Sequence, residues 1–142
     1  KVFINDVQMV HLLVSAHIQK GNVDQAIALI DRYCGSYKRL ADNYECIVIK
    51  AWSLFAAGEE KEARDLIADL MNDPVDFVLA LENAAFFENL IGSINSAIGY
   101  LEEMYQKAGV DQKRSIAFKL ARLHQHGCGA IASLCRISML YV

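Results

Sequence analysis

The sequence predicts an all-α protein built from helical hairpins, and three observations lead there. Apolar residues recur at helical spacing, with no strand-like alternation along the chain. Four segments align on a glycine followed five residues later by an alanine: Gly21 and Ala26, Gly58 and Ala63, Gly92 and Ala97, Gly127 and Ala132. The glycines stand 37, 34 and 35 residues apart, the period of a repeated two-helix unit.

Taken in order, the first hairpin pairs helices over 6–20 and 23–33, the second over 42–57 and 59–71, the third over 74–91 and 93–107, and the fourth over 111–126 and 130–141. Gly21, Gly58, Gly92 and Gly127 are expected to end the first helix of each pair in the left-handed conformation, where a Cβ would be penalised. Each alanine is expected where the second helix crosses the first, because only a small side chain permits close approach there. Ile27 and Ile30, Leu66 and Ile67, Ile98 and Leu101, and Ile131 and Leu134 follow at helical spacing to fill the core. Asp73 before Pro74 reads as an N-cap with proline at the first helical position, and Asn22, Asp42 and Asp111 read as further caps. Gly35 and Gly109 read as stops.

With 142 residues, 54% hydrophobic and 22% charged, one Pro and eight Gly, the chain reads as a single domain, 1–142, with repeats near 6–37, 42–73, 74–108 and 111–142. A chain of this size buries roughly two thirds of its unfolded surface and needs no staple. Four cysteines are too sparse for a secreted disulfide framework, so they read as packing thiols in a reducing, cytoplasmic setting. No uncharged apolar stretch approaches the roughly 18 residues of a spanning helix, and no membrane association is expected. Residues 7–18 imitate a signal-peptide core, but Asn5 and Asp6 stand where a positive flank would, and the segment reads as a helix. The net charge of −3 divides into +1 over 1–58, −9 over 59–103 and +5 over 104–142. The one basic zone lacks the concentrated, aromatic-lined face that phosphate binding wants, so nucleic acid is not expected, whereas a banded field suits protein partners.

These residues and their spacing resemble the tetratricopeptide repeat family over nearly the whole chain. The match is strongest over 19–30 and 45–69. The family's small residue on the first helix corresponds to Val14, Ala51, Ala85 and Leu120, so the middle two match, and its inter-repeat proline is kept as Pro74. The resemblance implies a right-handed α-α superhelix of about four hairpins whose first helices line a concave groove for a peptide or helix of a partner protein. Carried over residue by residue, the groove positions are Gln8, His11, Ser15 and Ile18; Glu45, Val48, Ile49, Trp52 and Phe55; Leu79, Glu82, Asn83, Phe86, Asn89 and Leu90; and Arg114, Ala117, Phe118, Ala121 and His124. The cations with which the family's heat-shock-protein binders clamp a terminal carboxylate are missing apart from Arg114. Trp52, Phe55, Phe86 and Phe118 instead suggest pockets for aliphatic side chains. In size and groove character the chain is similar to the small chaperones of bacterial type III secretion built on these repeats.

Function is thus expected to be non-enzymatic: a chaperone or adaptor that binds an apolar segment of a protein partner, with no cofactor and no metal. Ordinary core packing is the competing reading of the four aromatics, since aromatic residues at helical spacing are more often core than site. A structural module that self-associates is the alternative function, through the apolar helix 130–141, because solenoids normally end on a polar face. His124, His126, Cys128 and Cys135 form a remote zinc alternative; two histidines two residues apart on a helix point about 200° apart, which disfavours it. The sequence carries no phosphate loop, nucleophile elbow or H-E-x-x-H pattern, and Glu59-Glu60 and Glu102-Glu103 read as solvated helix faces.

Overall fold

The structure is a computed structural model that describes residues 4–127. Among these residues it holds seven α-helices and no strand. The chain forms two compact units, one ending at Val75 and the other beginning at Asp76.

The first unit contains α1 (Val7–Gln19), α2 (Val23–Asp31), α3 (Leu40–Ala56) and α4 (Glu60–Met71). Asp6 starts α1 by accepting a hydrogen bond from Gln8 N–H at 2.9 Å, which satisfies one of the amides that the first turn leaves open. Val7, Val10 and Val14 form one stripe of α1 and pack with Ala26 and Ile30 of α2 and with Cys46 and Ile49 of α3. Tyr33 and Tyr37, from the joint between α2 and α3, complete that core and stack at 6.2 Å. Ser53 is fully buried on α3, where its hydroxyl donates to Ile49 O at 2.9 Å and so carries no unmet polar cost. Ala63, Ile67 and Leu70 are the buried stripe of α4.

The second unit contains α5 (Phe77–Leu90), α6 (Ile94–Lys107) and α7 (Val110–Gly127). Its buried residues are Ala80, Leu81, Ala84, Ala85 and Phe87 of α5, Ala97, Ile98, Leu101, Met104 and Tyr105 of α6, and Ile116, Ala117 and Leu120 of α7. The alanines of α5 let α6 lie close against it.

Three of the four glycine turns fall within the described residues, and they share one geometry. Gly21, Gly58 and Gly92 have φ of 82°, 87° and 84°. Each glycine N–H donates to the carbonyl three residues back, at 3.0 Å to Ile18, 3.0 Å to Phe55 and 3.2 Å to Asn89. The next residue donates five back: Asn22 to His17 at 2.8 Å, Glu59 to Leu54 at 2.9 Å, Ser93 to Glu88 at 2.8 Å. This pair of bonds is the Schellman closure of a helix. The residue that closes the first helix is also the N-cap of the second, and its carbonyl accepts from the N–H of Ala26, Ala63 or Ala97 at 3.1 Å in all three. Those alanines are fully buried, and Ile30, Ile67 and Leu101, one turn further on, are buried as well. Gly127 is the last residue of α7, while Ala132, Ile131, Leu134 and the helix expected over 130–141 lie outside the described residues.

The cap assignments need correction. α5 begins at Phe77, three residues after Pro74, and its cap is Asp76, whose carboxylate accepts from Leu79 N–H at 3.0 Å. Asp76 has the extended backbone that capping requires, whereas Asp73 sits at φ 52° in the left-handed region. Asp42 lies inside the first turn of α3, whose N-cap is Arg39, and Asp111 lies inside α7. Asn22 holds the N-cap position through its backbone, with no side-chain cap bond. Gly109 separates α6 from α7, and its carbonyl accepts from Gln112 and Lys113 at 3.1 and 3.2 Å, so it starts the later helix.

Candidate functional site

In the first unit, α1 and α3 pack against each other, and the positions expected on a binding face meet across that seam. Gln8 Nε2 donates to both carboxylate oxygens of Glu45, at 3.1 Å each. About one turn further along α1 and two along α3, the His11 ring meets Trp52 edge to face, 5.8 Å between centroids and 80° between planes. His11, Glu45 and Trp52 are all half-buried, with Trp52 leaning on the core of α1 and α2. Burial lowers the His11 pKa, which keeps the imidazole neutral near neutral pH. Burial raises the Glu45 pKa, partly countered by the Gln8 hydrogen bond to the ionised form. The seam therefore offers an indole, a neutral imidazole and an amide–carboxylate pair: apolar contact flanked by one donor and one acceptor group.

The other expected positions on α3 divide. Val48 is fully buried and belongs to the core instead of an open face. The reason is that α3 packs against α1, α2 and α4, so more of its circumference is covered than that of α1. Phe55, in the last turn of α3, is half-buried.

In the second unit, Glu82 of α5 pairs with Lys119 of α7 at 3.4 Å, both half-exposed. Asn83 is buried, and its amide donates to Leu79 O at 2.9 Å, one turn back on its own helix, so that donor is committed internally. Phe86 and Leu90 are half-buried and Asn89 is exposed. Phe118 is 66% exposed, the most accessible of the four aromatics singled out by the sequence.

One exposed patch escaped the reading of the sequence. Met9, Leu12 and Leu13 are 48%, 65% and 38% exposed on the side of α1 opposite Val7, Val10 and Val14. The signal was present: α1 contains no Asp, Glu, Lys or Arg, and its apolar residues cover two faces where a surface helix needs one.

Among the described residues, no group of three or more His, Cys, Asp or Glu could hold a metal ion. His124 and His126 fall within α7, while Cys128 and Cys135 lie outside the described residues. No described helix is long and apolar enough to cross a membrane. Comparison with protein-family models, curated proteins and solved structures finds no match to this chain.

Proposed function

We propose that the chain is a tetratricopeptide-like repeat protein, a right-handed superhelix of hairpins that acts without catalysis by binding an apolar peptide or helix of a protein partner, as a cytoplasmic chaperone or adaptor. Three glycine turns with one geometry, each followed by a buried alanine, support the repeat reading. The observation that carries the functional reading is the α1–α3 seam, where first helices of successive hairpins stand side by side with His11 against Trp52 and Gln8 against Glu45. An aliphatic side chain of the partner packs on the Trp52 indole, and Gln8 and Glu45 exchange their mutual hydrogen bonds for bonds to the partner backbone. Phe86, Phe118, Asn89 and Leu90 carry matching apolar and amide chemistry in the second unit.

The test selects peptides from a random library against the full chain and follows Trp52, the single tryptophan, by acrylamide quenching. Selected peptides rich in aliphatic residues should protect Trp52, and Trp52→Ala should lose about 2 kcal/mol or more of binding while keeping its fold. A Trp52→Ala protein that unfolds, or that binds the same peptides at wild-type affinity, would remove the seam as the site.

Self-association is the second reading, favoured by the Met9, Leu12 and Leu13 patch on a helix with no charge to repel its copy. Light scattering of Leu12→Glu against the parent chain separates the two. A parent oligomer dissolved by that substitution supports it; two monomers dismiss it.

A further inference from the structure

Cys34 and Cys46 meet where the end of the first hairpin packs on α3. Cys34 follows α2, its N–H held by Ile30 O at 3.1 Å, and its half-buried side chain lies against the cluster that contains the fully buried Cys46. Both are free thiols, and their side chains stand within reach of each other at this joint. Lys50, one turn beyond Cys46 on α3, pairs with Asp31 at 2.8 Å and brings its ammonium near Cys34. These surroundings separate the two sulfurs. Hydrogen bonding with Cys46 and the Lys50 charge pull the Cys34 thiol down, against burial and Asp31, while that same bonding and burial push the Cys46 thiol up. One sulfur is partly exposed and drawn towards the thiolate, and the other is shielded beside it and drawn towards the thiol. That is the division of roles between an attacking and a resolving thiol.

We propose that Cys34 and Cys46 form a hydroperoxide-operated thiol pair that closes to a disulfide across the α2–α3 joint. The Cys34 thiolate attacks one oxygen of a hydroperoxide, the O–O bond breaks, and the departing alkoxide or hydroxide takes a proton from water, leaving a sulfenic acid on Cys34. The Cys46 sulfur then displaces the hydroxyl from the Cys34 sulfur, its own proton leaving with that hydroxyl as water. The thiol pair loses two electrons, and the hydroperoxide gains both. An external dithiol restores the two thiols by exchange. The disulfide ties the end of α2 to α3 and does not depend on the binding seam.

The experiment treats the full chain with hydrogen peroxide and maps its peptides without reduction. The expected product is one Cys34–Cys46 disulfide, lighter by two hydrogens and reversed by a dithiol. A sulfenic-acid trap should label Cys34 in Cys46→Ala and leave Cys46 unlabelled in Cys34→Ser. In the untreated chain, where no substitution disturbs the fold, iodoacetamide should modify Cys34 at least about tenfold faster than Cys46. Pairing of either residue with Cys128 or Cys135, irreversible oxidation of Cys34 with Cys46 present, or equal alkylation of the two would overturn the proposal.

Discussion

Between α2 and α3 the chain takes eight residues, 32–39, and between α6 and α7 it takes only Ala108 and Gly109. The long joint is pinned by side chains. Asn43 reaches back from α3 to grip both backbone groups of Tyr37, accepting from its N–H at 2.9 Å and donating to its carbonyl at 2.6 Å, and the Tyr37 hydroxyl donates to Ile4 O at 2.7 Å. The short joint is steered by lysines over rings: Lys107 stands 5.1 Å from the Phe77 ring and Lys113 5.0 Å from that of Tyr105. A joint of eight residues has conformational freedom that must be taken away by specific hydrogen bonds; one of two residues has little to lose, and weaker contacts suffice.

The largest effect should come from breaking the long joint. Asn43→Ala strands the Tyr37 N–H and carbonyl in a part-buried site and should cost about 2–3 kcal/mol in denaturant unfolding. A loss within a few tenths of zero would mean that the joint holds itself.

Next come the turns inside the hairpins, which serve as the common reference for both joints. A Cβ on Gly21, Gly58 or Gly92 would meet nothing within 4 Å, so the penalty is conformational alone. Gly→Ala at each should cost about 1–2 kcal/mol, and nearly the same at all three. A spread wider than that range across the three positions would show that the turns are not equivalent.

Alkaline pH sharpens the comparison further, because it acts on the long joint through Tyr37. Burial pushes the Tyr37 pKa up to about 12. The folded state thus holds its proton to higher pH than the unfolded chain, whose tyrosine titrates near 10. This contribution is complete below about pH 10 and declines as pH rises towards 12. Tyr37→Phe should cost about 1 kcal/mol at neutral pH through the lost Ile4 bond, and less above pH 11. Parallel stability curves for the two proteins across that window would contradict it.

The smallest effect belongs to the short joint. Lys107→Met should lose about 0.5–1 kcal/mol, the usual worth of an exposed cation over a ring, and high salt should shrink the difference. A loss as large as that of Asn43→Ala would erase the contrast between the joints.

What could be read from the sequence follows the same division. The turns inside the hairpins recur, and recurrence exposes them: a glycine needed for its positive φ and an alanine needed for close crossing leave marks at fixed spacing. The joints occur once each, so Asn43 and Tyr37 left no pattern to find. At the third hairpin two aspartates flank Pro74 and Val75, and only backbone geometry decides that Asp76 caps. On the candidate face, Glu45 and Trp52 could be placed by register, but Val48 could not, because its burial depends on how many helices surround α3. The contact of Cys34 with Cys46 depends on the joint and was equally hidden.

The residue after each turn glycine serves two helices at once, its N–H closing one and its carbonyl opening the next. Length at that point is therefore not a free variable. One added residue would move the donor out of reach of its carbonyl and shift the following alanine by about 100° around its helix, away from the crossing. Insertions, deletions and grafted tags should be lethal to folding at Asn22, Glu59 and Ser93, and tolerated only in the segments that join one hairpin to the next. Homologues of this chain should accordingly differ in length between hairpins and agree within them.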